Sequence, residues 1–238
     1  MKKYVLLIIF LISSNMFPQN WLYVDSVFNV SGVSVDNFSA PFFADLNNDG
    51  NLDLILGGIG DRAEFFWANS HTFPYTFTKD NSVLESIYAG GLAGTNADYP
   101  ALIDLDGDGD LDLVIGGFNG LKYYENTGTI SSPQFELGDT IFAAVNLLIG
   151  TDPKPAFIDI DDDGDLDLFV GIGESILGGP EPGITMGFRN TGTANNPEFT
   201  LDNSLVTGIV DIGLNAYPTF ADLDGDGDYD LLLGRDLQ

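Results

Sequence analysis

The sequence predicts an all-β fold, a β-propeller of four-stranded blades with about four repeats present. Three observations predict it. One motif is written four times, at residues 41–57, 100–116, 155–171 and 218–234, and its leading acids Asp45, Asp104, Asp159 and Asp222 are spaced by 59, 55 and 63 residues. A fixed period of that size signals a repeat architecture. Each period also holds four short apolar or aromatic runs separated by Gly, Pro, Asn and Asp, with no sustained helical periodicity, which is the pattern of a propeller blade. Finally, the second run of each period, such as 54–56 or 111–115, is nearly continuously apolar. A strand in a one-sided sheet would alternate, so both of its faces are expected to be covered, as stacked blades would cover them. A β-solenoid is the structural rival, but such a period is long for one of its coils.

Along the chain, Lys2 and Lys3 precede nine apolar residues, 4–12, and then Ser13, Ser14 and Asn15. That order is a secretory signal peptide, placed at residues 1–19, and the apolar run is far below the roughly 20 residues of a membrane span. The protein is therefore expected to be secreted or displayed at the cell surface, with no membrane insertion after cleavage. Residues 20–238 form the repeat region. Residues 21–28 resemble 199–206 and read as the fourth strand of a blade. The first period continues with Glu64-Phe-Phe-Trp-Ala-Asn69 and Pro74-Tyr-Thr-Phe77 as weaker third and fourth strands. The second continues with Leu121-Lys-Tyr-Tyr-Glu-Asn126-Thr-Gly128 and Pro133-Gln-Phe-Glu-Leu137, the third with Met186-Gly-Phe-Arg-Asn190-Thr-Gly192 and Pro197-Glu-Phe-Thr-Leu201. The fourth stops after its second strand, at Leu231-Leu-Leu-Gly234. Joining the two ends leaves one third strand missing, so the expectation is an open arc that self-associates when expressed as given, and a natural chain that continues past Gln238.

Composition narrows the function. With 8 Lys+Arg against 36 Asp+Glu, the net charge is -28. So few cations exclude a nucleic-acid binder that works by phosphate neutralisation and disfavour docking on anionic lipid. Hydrophobic residues at 44% supply a core, so this is not a disordered acidic tail. Zero Cys excludes disulfides, thiol catalysis and Cys-ligated metals, and the single His71 excludes a multi-His site.

The acids are concentrated. Nineteen of the 36 fall within residues 45–53, 104–112, 159–167 and 222–230. In each segment oxygen-bearing side chains occupy positions 1, 3, 5 and 9, with Gly at position 6: Asp45, Asn47, Asp49 and Asp53; Asp104, Asp106, Asp108 and Asp112; Asp159, Asp161, Asp163 and Asp167; Asp222, Asp224, Asp226 and Asp230. A loop coiling around a hard cation points alternate side chains inward, and Gly permits the sharp turn. The backbone carbonyl at position 7 (Asn51, Asp110, Asp165 or Asp228) is a further candidate ligand. Calcium accepts six to eight oxygens in flexible geometry, which favours it over magnesium, so about four calcium ions are expected. An EF-hand needs an acid at position 12, where this chain has Leu56, Ile115, Val170 and Leu233. Asp-Gly pairs also make simple hairpin turns, but a turn does not need four acids in fixed register. The first loop, with Asn47 in place of an acid, is expected to bind most weakly.

The Pro-x-x-x-Asp-x-Asp-x-Asp-Gly-x-x-Asp-Leu-x-x-Gly pattern resembles the FG-GAP/VCBS repeat family, whose calcium loop integrin α-subunit propellers share. The resemblance spans residues 20–238 and is specific in the loops; Tyr-Tyr-Glu-Asn-Thr-Gly at 123–128 is similar to bacterial members. It implies a propeller, usually of about seven blades, of which this chain would be a truncated part. It also implies calcium between the first two strands of each blade, held by Asp45, Asn47, Asp49, Asp53 and their counterparts. The chain departs from the family in showing only four copies and no recognisable enzyme domain.

A calcium-binding module for adhesion or for binding a protein or carbohydrate is the leading functional expectation. The alternatives are the propeller part of a polysaccharide- or lipid-degrading enzyme, and a structural spacer in a longer surface protein. Against an enzyme, His71 stands alone, Arg62, Lys79, Lys122, Lys154, Arg189 and Arg235 are scattered, and nothing in the sequence pairs Glu125, Glu136 and Glu174. Trp67, Tyr123 and Tyr124 are expected in the blade core rather than stacked on sugars. Binding is expected on the face opposite the calcium loops, where the variable segments 59–62, 81–98, 118–120, 138–152, 172–185 and 203–216 lie.

Overall fold

The computed structural model describes residues 39–59, 62–70, 75–89, 97–173, 183–209, 211, 213 and 215–235. The signal segment 1–19, residues 21–28, His71, Glu174 and most of the 172–185 segment lie outside the described residues.

Each repeat is an antiparallel meander. The first unit contains β1 (Ser39–Ala44), β2 (Asp53–Ile59), β3 (Glu64–Ala68) and β4 (Phe77–Lys79). The second contains β5 (Ala97–Ile103), β6 (Asp112–Gly117), β7 (Gly120–Asn126) and β8 (Phe135–Leu137). The third contains β9 (Lys154–Ile158), β10 (Asp167–Gly171), β11 (Thr185–Asn190) and β12 (Phe199–Leu201), and the fourth is the hairpin of β13 (Tyr217–Ala221) and β14 (Asp230–Gly234). Register is set the same way throughout: the last residue of the first strand pairs with the position-9 acid, as in Ala44 with Asp53, Ile103 with Asp112, Ile158 with Asp167 and Ala221 with Asp230. The first strands β1, β5, β9 and β13 are in contact in succession.

The nearly continuous apolar second strands are covered on both faces, as their pattern predicts. Leu113 and Ile115 of β6 pack with Ile55 and Phe65 of the first unit, while Val114 between them packs with Leu168 and Val170 of the third. Phe169 of β10 points the other way, edge-on to Phe220 of the fourth unit at 4.9 Å between ring centroids. The core therefore consists of layers between successive sheets rather than one interior.

The Gly that ends each of the first three motifs sets the spacing of those layers. A Cβ at Gly57, Gly116 or Gly171 would sit 2.0, 1.8 or 2.1 Å from the backbone oxygen of Asp98, Pro153 or Ala216, each at the entry to the next unit's first strand. Close approach there is possible only without a side chain. Between the first two units it goes further: Gly58 and Ile59 pair with Asp98 and Ala97, joining β2 to β5 in one eight-stranded sheet.

Two short helices, α1 (Glu85–Ala89) and α2 (Ala143–Asn146), and a preceding 3-10 turn (Asn81–Leu84) occupy connections between units. The four-strand reading did not anticipate them. Asp80 caps the 3-10 turn by accepting from the Ser82 amide at 3.1 Å, and buried Phe142, Val145 and Ile149 show the helical spacing around α2.

Candidate metal centres

The loop between the first two strands winds in the same way in all four units. Position 6 is left-handed, with φ between 86° and 97° at Gly50, Gly109, Gly164 and Gly227. Position 4 is left-handed as well, at Asn48, Gly107, Asp162 and Gly225. Sequence reading assigned the first of these turns and missed the second; the restriction of position 4 to Asn, Asp and Gly was its signal. Two left-handed residues so close together fold the backbone amides inward onto the leading acid. Asp104 accepts from Gly107 and Gly109 at 2.7 and 3.1 Å, and Asp222 accepts from Gly225 and Gly227 at 2.7 and 3.2 Å. Asp159 accepts from Asp163 and Gly164 at 3.1 and 2.9 Å, and Asp45 from Asp49 and Gly50 at 2.9 and 2.8 Å.

In the second, third and fourth loops this winding gathers acids. Carboxylate oxygens of Asp104, Asp106 and Asp108 lie within 4.8 Å of one another, as do those of Asp159, Asp161 and Asp163, and those of Asp222, Asp224 and Asp230. Such a trio repels itself. Asp165 adds to the problem in the third loop: its Oδ1 is buried with no hydrogen-bond partner. Burial, then Asp163, Asp167, Asp161 and Asp159, hold its pKa above the usual carboxylate range. Asp110 is raised in the same way in the second loop, first by burial and then by Asp108, Asp106 and Asp104. An all-oxygen shell with this much negative charge fits a hard divalent cation. The first loop is better satisfied on its own, since Asp49 accepts from the side-chain amides of Asn47 and Asn51 at 3.2 and 2.7 Å.

Position 9 has a structural role beside its candidate ligand role. Asp53, Asp112 and Asp167 are buried, whereas Asp230 is exposed. Asp112 accepts from the amides of Leu105 and Asn126 at 3.1 and 2.8 Å and from the Tyr123 hydroxyl at 2.8 Å. Asp53 accepts from Leu46 and Ala68 at 3.1 and 2.8 Å, Asp167 from Asn190 at 2.7 Å, and Asp230 from Leu223 at 3.0 Å. In the first three units this acid ties its loop to the third strand. Burial pushes Asp53 and Asp112 up to about 6, against the lowering effect of those hydrogen bonds.

The Asn-Thr-Gly repeat finds its explanation one step outward. Asn126 Oδ1 accepts from the Gly128 and Gln134 amides at 3.2 and 2.9 Å, and Asn190 Oδ1 from Gly192 and Glu198 at 2.9 and 3.0 Å. The side chain thus closes the turn between the third and fourth strands while its backbone amide holds the position-9 acid. That turn reaches the neighbouring loop, because a Cβ at Gly107 would meet the Asn195 amide group at 2.2 Å.

Other residues singled out in the sequence fall as follows. Tyr123 and Tyr124 are buried, and Trp67 is partly buried, donating Nε1 to Asp80 at 3.1 Å. Lys154 is buried, with its ammonium 4.5 and 5.0 Å from the ring centroids of Tyr99 and Tyr217, where it bonds Asn215 Oδ1 at 3.0 Å. It joins the first strands of three units. Glu125 and Glu136, unpaired in the sequence reading, are direct cross-strand partners in β7 and β8.

Residues 104–170 match the family model of the FG-GAP-like repeat, a span that begins at the first acid of the second loop and ends within β10. The resemblance read from the loops holds over that segment. No curated protein sequence matches the chain.

Proposed function

We propose that the protein is a calcium-stabilised binding module of the β-propeller type, secreted or held at the cell surface. Asp45, Asn47, Asp49 and Asp53 and their counterparts hold the ions, and the connections between units present a surface to a protein or carbohydrate. One observation carries the reading: the same acid-rich loop recurs between the first two strands of units whose first strands lie side by side. Calcium supplies charge neutralisation and fixes the loop; it has no reactive task. The loop acids, the amides they accept and the position-9 strut then form one continuous link from the metal to the third strand.

A rigid stack of sheets with variable connections is suited to binding, because the scaffold holds the loops in place. The helices α1 and α2 lie in two of those connections, on the side that the meander places opposite the metal loops. Metal analysis of the protein purified from a secreting host tests the reading. About four calcium ions per chain are expected, and protein that emerges free of metal and fails to take up calcium on dialysis would overturn it.

A further inference from the structure

The residue just before the end of the third strand differs among units: Trp67, Glu125 and Arg189 hold equivalent places, opposite Thr78, Glu136 and Thr200. In the third unit this places a cation against the metal loop. Arg189 Nε donates to Asp202 Oδ2 at 3.0 Å, which anchors the guanidinium on one side. Its Nη1 then donates to Asp161 Oδ2 and lies 4.0 Å from Asp167 Oδ2. Asp161 and Asp167 are the position-3 and position-9 acids of the third loop.

The loop's own hydrogen bonding differs accordingly. In the second and fourth loops the position-5 amide donates to position 3, Asp108 to Asp106 and Asp226 to Asp224, and in the first the Asp49 amide is shared between Asn47 and Asp45. In the third, the Asp163 amide donates to Asp159, and Asp161 is engaged by the arginine.

We propose that Arg189 is the resident cation of the third loop, neutralising Asp161 when no metal is bound and yielding that carboxylate when calcium enters. The inference rests on the calcium reading above. Asp202 retains the other edge of the guanidinium, so the arginine shifts rather than leaves. The third loop therefore starts with one carboxylate already paired, and calcium must compete for it. The Arg189 side chain is 31% exposed, and partly exposed ion pairs are weak, so the competition weakens calcium binding by about two- to fivefold.

A calcium titration of the isotope-labelled protein, followed by the amide signals of Gly164 and Gly109, reads the third and second loops separately. Arg189→Gln is expected to move the Gly164 midpoint to about two- to fivefold lower calcium while leaving the Gly109 midpoint in place. An unchanged or higher Gly164 midpoint, with Gly109 still titrating, overturns the proposal alone. No response of either glycine to calcium in either protein overturns the calcium reading and this inference with it. Should the variant not fold, the Nε–Hε signal of Arg189 in the unaltered protein decides: it is expected to shift with the Gly164 midpoint, and a signal indifferent to calcium overturns the proposal.

Discussion

Replacing Asp112 separates the two tasks of the position-9 acid. Its side chain is buried, the residue 1% exposed, and it accepts from Leu105, Asn126 and the Tyr123 hydroxyl. Alanine strands two backbone amides and a phenol away from any acceptor. Each unsatisfied buried group costs about 1–3 kcal/mol. Part of that is returned, because burial leaves the carboxylate poorly solvated and pushes its pKa up to about 6. The net loss comes to about 3–5 kcal/mol, and at about 2–4 °C per kcal/mol for a chain of this size the melting temperature falls by about 6–20 °C. Because the lost bonds do not involve metal, the fall is expected in chelator as well as in millimolar calcium. Asp108→Ala is the contrast: Asp108 is exposed and accepts from the Asp110 amide, so its loss should show chiefly when calcium is present. Thermal unfolding by circular dichroism under both conditions makes the comparison. If Asp112→Ala in chelator melted within about 2 °C of the parent, the strut argument would be refuted.

Three further outcomes follow from the same geometry. Asn47→Asp should tighten the first loop severalfold by restoring its missing charge and removing an amide donor to Asp49, and Asp108→Asn should weaken the second; the Gly50 and Gly109 amide signals report each, and a looser first loop would contradict the charge argument. Gly116→Ala should destabilise by more than about 3 kcal/mol, since its Cβ would lie 1.8 Å from the Pro153 oxygen, whereas Gly234→Ala meets nothing closer than 3.4 Å; equal melting temperatures would contradict the spacing role. In chelator, stability should fall as pH rises from about 4 to 6. Asp53 and Asp112 hold protons up to about 6 when folded but lose them near about 3.9 when unfolded, so the folded state binds more protons across that window. Urea unfolding in chelator that showed stability rising over the same range would contradict this.

The repeat, the four-strand meander and the two-sided burial of the second strand were legible because they rest on local signals. A continuous apolar run such as Leu113-Val114-Ile115 has one economical explanation, and the structure places its neighbours on opposite layers. Alternation placed the acids of positions 1 and 3 together in the second, third and fourth loops, joined by position 5 in the second and third and by position 9 in the fourth. Other features depended on contacts distant in sequence. Nothing near Arg189 announces that its guanidinium reaches an acid 28 residues back, and nothing near Lys154 announces two tyrosines from other units. The closing Gly of the first three motifs has its reason in the next unit's backbone oxygen, which no residue beside it in the sequence reveals. Position 9 read as a ligand alone, because its second role needs the third strand in place.

Thermal unfolding with and without chelator tests most directly whether the acid loops hold calcium and the fold depends on it. Extracellular calcium sites often have Kd near 10⁻⁴–10⁻³ M. At about 1 mM calcium and a Kd of about 0.1 mM each site contributes about 1.4 kcal/mol, so four sites approach about 5–6 kcal/mol. The expected result is a melting temperature at least about 10 °C higher in calcium than in chelator, restored on adding calcium back. A melting curve that is the same in both would contradict it.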